Sequence, residues 1–369
     1  MKSYKYSQSL YKVVLLVVLL TFAPVLVQAW GFFAHQRINR LAVFCLPPEM
    51  SGFYKHHILY ITENAVNPDR RRYAVEGEAP RHYIDIDVYD HHYGDSAVYK
   101  MPRYWKAAVE QFSEDTLMAY GIVPWHINRM KYQLTEAFKR KDAKSILRLS
   151  ADIGHYIADA NVPLHTTVNY NGQLTGQRGI HGFWESRLPE LFSDDYNYFV
   201  GQAAYVENAQ LRAWQAVTEA HEALDSVFRF ERELTEAFAA NKKYTLEERN
   251  GRTIQNYSRE FSKAFHEQLD GQVERRMRAS VKMVADYWYT AWVDAGQPNL
   301  DELIDIKFTK EELKQMKEEK KKWRERKIKG RDHEAYVPLG RHQGCCHNDV
   351  FMAFYKGKSL NNHRFFSKR

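Results

Sequence analysis

Two short segments of this chain pair a histidine with an acidic residue one helical turn away. HYIADANVPLH places His155 and Asp159 four residues apart, with His165 just beyond, and HGFWE repeats the spacing with His181 and Glu185. Side chains at positions i and i+4 lie on the same face of a helix. Each pair can therefore bind the same ion or two adjacent ions, provided that both segments fold as helices.

The chemistry of these side chains indicates a metal site. Imidazole nitrogen and carboxylate oxygen together suit zinc well, although other divalent ions are possible in such a site. The alternative is two His/carboxylate pairs on solvated helix faces. Two such pairs and an additional histidine favour the metal site, since clustered histidines and acids are candidate ligands.

The N-terminal 29 residues predict a secretory signal peptide. They contain three lysines, an apolar run, and the small-x-small exit Val27-Gln28-Ala29, which together are typical of a cleaved signal. An uncleaved anchor is the alternative, but the run is short for a membrane span of about 20 residues. We expect cleavage between Ala29 and Trp30, a secreted or periplasmic protein, and no transmembrane span in the mature chain.

Cleavage at this point would give Trp30 a free amino group. An α-amino group has a pKa near 8, so a nearby cation can hold it deprotonated. The amine nitrogen and the carbonyl oxygen of Trp30 could then chelate a metal, and His35 lies five residues further on. Without a metal cluster, Trp30 would be a buried aromatic residue and His35 an ordinary helix residue.

The formal net charge of +7 is not evenly distributed. The excess of lysine and arginine lies in residues 1–29 and 307–369, whereas residues 30–306 carry more acidic than basic side chains. Bound divalent ions would offset much of that negative charge. The basic composition is therefore no evidence for a nucleic-acid groove in the body. The three cysteines form a poor disulfide framework, and Cys45 is expected to be a small buried residue.

Helical periodicity dominates the chain after residue 30. It predicts an all-α single domain over 30–300, with one strand candidate at 82–89 and a polar, glycine-rich loop at 166–180. The predicted helical segments are 35–46, 104–120, 124–141, 143–160, 204–239 and 246–293. A charged helix is expected within 301–334, more typical of a solvated surface than of a nucleic-acid or membrane-binding arm, and an irregular tail at 335–369.

Two upstream segments add further ligand candidates. NPDRRR contains Asp69 and Arg72, and RHYID contains His82 and Asp85. Each segment alone is a weak signal, because Asp-Arg pairs are commonly surface salt bridges. The complete ordered set of ligand candidates is Trp30, His35, Asp69, His82, His155, Asp159, His165, His181 and Glu185.

This ordered set resembles the S1/P1 nuclease and bacterial zinc-dependent phospholipase C superfamily over residues 30–190. The resemblance implies a mostly helical fold with three zinc ions at the bottom of a cleft. It assigns Asp69, His82, His155 and Asp159 to the first zinc; His165, His181 and Glu185 to the second; and Trp30, His35 and Asp159 to the third. Asp159 would bridge two ions through its two oxygens.

The resemblance also implies hydrolysis of phosphoesters. A zinc-activated water would attack phosphorus, because coordination can lower the pKa of water to near 7. Zinc ions that flank the phosphate would stabilise charge on the attacking and leaving oxygens. Asp69, Arg72 and Asp85 are the residues that the resemblance assigns to catalysis.

Several residues favour the nuclease branch. The spacing Trp30-x4-His35 matches it, Arg72 matches an arginine that holds the scissile phosphate in pairs of hydrogen bonds, and Asp85 matches a supporting acid. Tyr83 stands where the nucleases carry a base-stacking aromatic, although a core aromatic is equally expected.

Two other positions bear on the phospholipase branch. Glu185 matches the phospholipases, since the nucleases usually have aspartate there. Phe33 is apolar where the phospholipases place an acid for the choline cation, and this lowers the expectation of a choline-phospholipid substrate.

The leading prediction is a secreted zinc-dependent phosphodiesterase, an endonuclease acting on single-stranded nucleic acid or 3′-nucleotides. A zinc-dependent phospholipase C acting on phospholipid headgroups is the alternative enzyme. A third possibility is a secreted binding protein whose zinc cluster is structural, although the second ligand set supplies only three protein ligands and structural sites normally have four. We predict no stable protein partner.

Overall fold

The computed structural model describes residues 31–249 and 252–328. Helices dominate this part of the chain, so the predicted all-α class is confirmed. The α-helices are α1 (Phe32–Ala42), α2 (Pro48–His56), α3 (Ile58–Asn64), α4 (Asn67–Arg71), α5 (Asp90–Tyr93), α6 (Ala97–Lys100), α7 (Trp105–Phe112), α8 (Glu114–Tyr120), α9 (Val123–Lys139), α10 (Ala143–Asp159), α11 (Ile180–Gly182), α12 (Leu188–Phe192), α13 (Ala209–Glu222), α14 (Leu224–Ala237), α15 (Ala240–Lys243), α16 (Arg259–Gln268), α17 (Gln272–Asp294) and α18 (Lys310–Arg324).

Short 3₁₀ turns and a π-helix link several of these helices. The 3₁₀ turns are Val43–Cys45, Ala79–His82, Ile86–Tyr89, Pro163–Thr166, Ser193–Asp195 and Asp301–Leu303, and Phe183–Arg187 is a π-helix. The strands in the described part of the chain form one antiparallel hairpin of β1 (Tyr244–Arg249) and β2 (Arg252–Tyr257). No helix in residues 31–249 and 252–328 combines the length and the apolar character needed to cross a membrane.

Helices α9, α10 and α17 form the centre of the core. A three-residue turn joins α9 to α10, and the two helices pack along each other, while α17 packs against both and against α1. The aromatic side chains between them are buried and hydrogen bonded: Trp288 donates from Nε1 to the carbonyl of Ser150 at 3.0 Å and stacks on Tyr54. These helices provide the rigid frame on which the polar residues of the interior are held.

The contact between α1 and α10 is unusually close because of Gly154. A Cβ atom at this position would lie 2.0 Å from Oδ1 of Asn39, and Asn39 itself donates a hydrogen bond to the carbonyl of Ala151 at 3.0 Å. The absence of a side chain at Gly154 therefore lets the helices approach, and the His35 ring stacks on that of His155 with centroids 3.9 Å apart.

Most predicted helical segments are present, with ends set by local signals. The segment 35–46 is part of α1 and the following 3₁₀ turn, and it ends before Pro47. Asp142 begins α10 by accepting a hydrogen bond from the backbone N–H of Ser145 at 3.1 Å, as N-cap residues do. The segment 104–120 is two helices instead of one, because Ser113 adopts a φ of 68° between them.

The predicted strand at 82–89 is wrong. This segment ends one 3₁₀ turn and contains another, with a short extended stretch between them. The backbone N–H groups of Ile84 and Asp85 donate to the carbonyls of His165 and Tyr120 at 2.9 and 2.8 Å. Because one partner lies in the 3₁₀ turn Pro163–Thr166 and the other at the end of α8, the alternating pattern reflects burial against two separate elements and not a sheet.

The helical prediction for 246–293 is wrong over its first part, where the hairpin lies. Leu246, Thr253 and Ile254 suit a strand, and the Asn250-Gly251 sequence between the two strands is a strong hairpin signal that helical composition obscured. The hairpin is anchored to the body by stacking of Tyr257 on Phe183, whose ring centroids are 3.8 Å apart. The rest of the segment is α16 and α17.

Two other predicted regions agree with the fold. Residues 167–179 form turns without a regular helix or strand, and α18 lies within the predicted charged segment and begins with a capping box of Thr309 and Glu312. The signal peptide, Trp30, the tail at 335–369 and its two cysteines lie outside the described residues. Cys45 is buried, as expected.

Candidate metal centre

Eight of the nine predicted ligands converge in the interior. They come from α1, α4, α10, α11, the π-helix and the two 3₁₀ turns that end near residues 82 and 166, so distant parts of the chain meet here. Every one of them is buried, with exposed fractions between 0% and 6%. The eight residues are His35, Asp69, His82, His155, Asp159, His165, His181 and Glu185. The ninth, Trp30, precedes the described residues.

Their ligand atoms form four overlapping groups. Within each group, one nitrogen or carboxylate oxygen from every residue lies within 4.8 Å of the others, a separation that a single coordinated ion can span. The groups are His82, His155 and Asp159; His35, Asp69 and His155; His165, His181 and Glu185; and His35, Asp159 and Glu185.

The first expected ligand set is assembled around Nε2 of His155. This nitrogen lies 3.1 Å from Nδ1 of His82, 3.4 Å from Oδ1 of Asp69 and 3.3 Å from Oδ2 of Asp159. The C-terminal turn of α10 holds His155 and Asp159 on one face, and α4 and the 3₁₀ turn Ala79–His82 bring the other two residues to it. The four residues therefore face a common point.

Asp159 directs its two oxygens towards different partners. Oδ2 lies 2.9 Å from Nδ1 of His82, within the first set. Oδ1 lies 3.4 Å from Nε2 of His35 and 3.9 Å from Nε2 of His165. This is the geometry that a carboxylate needs to bridge two cations.

The two oxygens of Glu185 also face different ligands, whereas the sequence assigned Glu185 to the second ligand set alone. Its Oε2 lies 2.7 Å from Nε2 of His181 and 3.6 Å from Nε2 of His165. Its Oε1 lies 3.5 Å from Nε2 of His35. The glutamate therefore joins the second set to the position of His35, and its extra methylene compared with aspartate gives it the reach to do so.

Backbone carbonyls fix the orientation of three imidazoles. Nδ1 of His155 is 2.8 Å from the carbonyl of Ala65, and Nδ1 of His181 is 3.0 Å from that of Tyr170. Nδ1 of His165 is likewise 2.5 Å from the carbonyl of His82. A carbonyl can only accept a hydrogen bond, so each Nδ1 carries a proton and each Nε2 points its lone pair or a second proton inwards, the arrangement of metal-binding histidines.

The inward nitrogens approach one another too closely to be satisfied without a cation. Nε2 of His165 and Nε2 of His181 are 3.1 Å apart. Two neutral acceptors at that distance repel, whereas a proton or a metal ion between them relieves the repulsion. Oδ2 of Asp69 is also buried, and no described residue forms a hydrogen bond with it. This donor set fits a metal with a preference for nitrogen and oxygen.

Two of the imidazoles are held neutral. Burial lowers the pKa of His82 to about 4, and the nearby positive charge of Arg72 acts in the same direction. Burial also lowers the pKa of His181. At neutral pH both rings are therefore in the form that binds metals.

The carboxylates are ionised although burial opposes their charge. His155 and His165 hold the pKa of Asp159 well below its ordinary value, and hydrogen bonds from imidazoles do the same for Glu185. In return, the carboxylates raise the pKa of His155 and of His165 against the effect of burial. Protons and a metal cation therefore compete for these two nitrogens.

The predicted phosphate-binding and supporting residues lie close to the ligands in sequence and are buried. Nη1 of Arg72 is 3.4 Å from Oδ1 of Asp69, and the arginine is 1% exposed. Asp85 is fully buried, and its charge contributes to raising the pKa of Asp87. Asp85 belongs to none of the groups of converging ligand atoms found among the described residues.

Tyr83 is packed against the backbone. It is 8% exposed, and a Cβ atom placed on Gly121 would lie 2.5 Å from Cδ2 of its ring. Its carbonyl accepts a hydrogen bond from the N–H of Val123. The ring is therefore part of the wall between the 3₁₀ turn at His82 and the start of α9.

A buried polar network behind the first ligand set was not found from the sequence. The hydroxyl of Tyr156 donates to Glu78, and Arg71 lies 3.3 Å from the same carboxylate and 3.0 Å from that of Asp152. The Tyr156 ring packs edge-on against that of His82, with centroids 5.3 Å apart. The network supports the ligand from behind, but its members are too far apart in sequence to form a motif.

Comparison with known proteins adds no relative. No model of a known protein family matches this chain, and no curated protein sequence matches it.

Proposed function

We propose that this protein is a zinc-dependent hydrolase of phosphoric esters that cleaves single-stranded nucleic acid or 3′-nucleotides. The observation that carries the proposal is the set of overlapping ligand groups, in which Asp159 and Glu185 each face two groups. A structural site normally encloses one ion with four protein ligands. Overlapping groups that share carboxylates instead suit neighbouring ions at which a substrate can bind.

The residue types and their order support the same proposal, because they are those through which the chain resembles the S1/P1 nucleases. Three ions would share the eight interior ligands and Trp30. Asp69, His82, His155 and Asp159 would hold the first; His165, His181 and Glu185 the second; and His35 and Asp159, with the amino end at Trp30, the third.

The chemistry that bound zinc supplies is a lower pKa for coordinated water and polarisation of phosphate oxygens. The contribution of Arg72 is to orient the phosphate, because its planar guanidinium can bind two oxygens at once. Asp69 lies 3.4 Å from one end of that guanidinium. Burial keeps the charge of Arg72 poorly screened, so it acts strongly on a phosphate that reaches the centre.

Roles for Asp85 and Tyr83 remain part of the proposal. Asp85 is a buried acid close to the ligand-bearing turn and would help to position it. A stacking role for Tyr83 requires movement of the wall in which it lies, since the side chain is 8% exposed. Arg72 is still more buried, at 1% exposed, so contact with either side chain requires the substrate to reach the interior beside the ligands.

A phospholipase C is the second candidate, and Glu185 is the observation that favours it. Phe33 opposes it, because the guanidinium of Arg37 lies 5.7 Å from the centroid of the Phe33 ring. A positive charge on this ring disfavours the approach of a choline cation, which would use the same aromatic face.

The direct test is an activity assay on the processed, zinc-loaded protein. We expect release of acid-soluble nucleotides from single-stranded DNA, inhibition by a chelator, and recovery on addition of zinc. Vesicles of phosphatidylcholine are assayed in parallel for release of phosphorylated headgroup. Headgroup release without DNA cleavage would favour the phospholipase, and inactivity on both substrates would overturn the proposed hydrolase.

Replacement of Arg72 separates a catalytic cluster from a structural one. We expect Arg72→Lys to retain the full zinc content and to lose about a hundredfold in turnover, because lysine keeps the charge but lacks the planar fork. Arg232→Lys, which changes an exposed arginine in the same way, is the matched control. Unchanged turnover in Arg72→Lys would remove the arginine from the mechanism.

A further inference from the structure

A large groove lies along α9 and α10. Its main cavity has a volume of about 1060 Å³, and an adjoining cavity of about 820 Å³ shares several of its walls, including Arg81, Arg129 and Arg148. None of the eight converging ligands lines either cavity. We call this the α9 groove.

The Tyr156 ring separates the α9 groove from the metal ligands. It packs against His126, which lines the groove, with ring centroids 4.5 Å apart, and on another side against His82, with centroids 5.3 Å apart. The two sites are therefore neighbours with a wall between them. A molecule in the groove would not contact the metal ligands through this wall.

The groove carries unpaired positive charge. Arg129, Arg140 and Arg148 line it and are exposed, and none of them forms an ion pair or a side-chain hydrogen bond with a described residue. The lining of the two cavities also contains five glutamates and Asp152. Three of the glutamates are paired with cations: Glu136 with Lys139 at 2.8 Å, Glu312 with Lys144, and Glu78 with Arg71 and Arg81. The groove therefore offers several guanidinium groups to an anion, although the body of the protein has an acidic composition.

Aromatic rings lie between these arginines. Tyr132 and Tyr104 are 60% and 54% exposed, and both line the groove. Trp125, Arg129, Tyr132 and Glu136 recur at three- and four-residue spacing and share one face of α9, and Arg140 follows the end of the helix. Exposed rings interleaved with cationic side chains are the pattern with which proteins bind single strands of nucleic acid, by stacking bases and attracting phosphates.

We propose that the α9 groove binds single-stranded nucleic acid at a site separate from the metal centre. Arginines pair with phosphates, and Tyr132 and Tyr104 stack on bases. The combined groove is larger than the pockets of about 300–1,000 Å³ that suit single small molecules, which favours a chain of several nucleotides. Binding here goes beyond the proposed function, because it needs none of the metal ligands.

The test is binding of a cleavage-resistant strand to the zinc-loaded protein. Fluorescence anisotropy of a labelled phosphorothioate oligothymidylate of 12 nucleotides gives the affinity at several salt concentrations. We expect Arg129→Ala combined with Arg148→Ala to weaken binding by about tenfold and to lower the dependence of log Kd on log salt by about 1 to 2. The matched control is Arg232→Ala combined with Arg259→Ala, which removes two exposed arginines outside the groove and should bind as the wild type does.

Stacking is tested at Tyr132. Tyr132→Ala should weaken binding by about fivefold or more, and Tyr132→Phe should bind as the wild type does, because the ring performs the stacking. Ultraviolet cross-linking of a thymidine analogue in the strand should label a peptide of α9. Equal affinity of the double arginine variant and the wild type would overturn the proposal, as would equal competition by polyglutamate and oligothymidylate.

These outcomes are independent of the proposed hydrolase. A protein that binds the strand through the groove and cleaves nothing would refute the hydrolase and support the groove. If the protein cleaves DNA and the arginine variants bind the strand as the wild type does, the hydrolase is supported and the groove is refuted as the binding site. Hydrolysis of a dinucleotide, which is too short to span both sites, should be unchanged in the arginine variants.

Discussion

At the scale of single residues, Asp159 is the ligand on which the metal centre most depends. Its two oxygens face different histidines, with Oδ2 2.9 Å from His82 and Oδ1 3.4 Å from His35. The carboxylate therefore links two of the ligand groups.

We therefore expect Asp159→Ala to release more than one zinc ion per chain. Removal of the carboxylate takes a ligand from two positions at once and leaves His155 without its closest acid on the same helix. Metal content by mass spectrometry of the purified protein is the measurement, with Asp225→Ala as the control, since Asp225 is 84% exposed on α14. Loss of one ion or none would contradict the bridging role.

The buried carboxyl group of Asp87 leads to a prediction about how the stability of the protein depends on pH. Its carboxylate accepts hydrogen bonds from Oγ1 of Thr167 at 2.7 Å and from the N–H of Val168 at 3.0 Å, so it holds the loop that follows His165. Burial, together with the charge of Asp85, raises its pKa to about 6. The ordinary value is about 3.9, so the folded protein binds this proton more tightly than the unfolded chain does.

The direction in which stability changes with pH follows from the difference in proton binding between the folded and unfolded states. Between pH 4 and pH 6 the folded state holds more protons at Asp87, so the stability falls as the pH rises, by up to about 3 kcal/mol. Asp87→Asn keeps an acceptor and carries no charge, and it should be more stable than the wild type at pH 8 but not at pH 4. Urea unfolding in the presence of a chelator measures the free energy of unfolding of the variant and the wild type at pH 4 and at pH 8. If the variant differs from the wild type by the same amount at both pH values, the raised pKa of Asp87 is refuted.

At the scale of elements, the close contact of α1 with α10 sets the position of His35. The contact depends on the absence of a side chain at Gly154, where a Cβ atom would lie 2.0 Å from Oδ1 of Asn39. His35 and Asn39 lie one turn apart on α1. A displacement of α1 would therefore move His35 away from His155, on which it stacks.

We expect Gly154→Ala to destabilise the protein by about 1–3 kcal/mol, the usual range for an overpacked core. The gain in helix propensity of about 1 kcal/mol is smaller and does not compensate. Gly52→Ala on α2 is a matched control, because its Cβ would meet its nearest neighbour at 3.7 Å, and it should be neutral or stabilising. Thermal unfolding compares each variant with the wild type. A midpoint for Gly154→Ala equal to that of the wild type would show that α1 adjusts without cost.

The elements also show why some sequence predictions failed. Residues 82–89 alternate in polarity as a strand does, yet their backbone is hydrogen bonded to the 3₁₀ turn at His165 and to the end of α8 at Tyr120. The Asn250-Gly251 turn signal marked a hairpin, but it lay in a segment with the charge and length of a helix. Local patterns are reliable in long helices such as α9 and α10, where one periodicity extends over 17 residues, and fail where a short segment packs against several elements.

At the scale of the whole molecule, the metal centre joins parts of the chain that are distant in sequence. His35, Asp69, His82 and the ligands between residues 155 and 185 all meet in one buried region. Three carboxylates in such a region destabilise the fold unless cations or protons neutralise them. Bound metal should therefore stabilise the complete fold and not one segment of it.

We expect a chelator to lower the thermal midpoint by about 10 °C or more. Metal at about 1,000 times Kd contributes about 4 kcal/mol, and each kcal/mol corresponds to about 2–4 °C in a domain of this size. Differential scanning calorimetry with and without chelator is the measurement, with zinc added back as the control. An unchanged midpoint would argue against metal binding in the native state.

The sequence by itself determined the helical class, the ends of α9 and α10 and the residue types of the centre, because helical periodicity and i, i+4 spacing are local properties. Only the tertiary structure decided that His35 stacks on His155, that Glu185 faces two ligand groups and that Arg72 lies buried beside Asp69. These relations depend on how closely helices approach, as at Gly154, and no spacing along the chain records that distance. The α9 groove is of the same kind, since its arginines and aromatic rings come from several helices and meet only in the folded molecule.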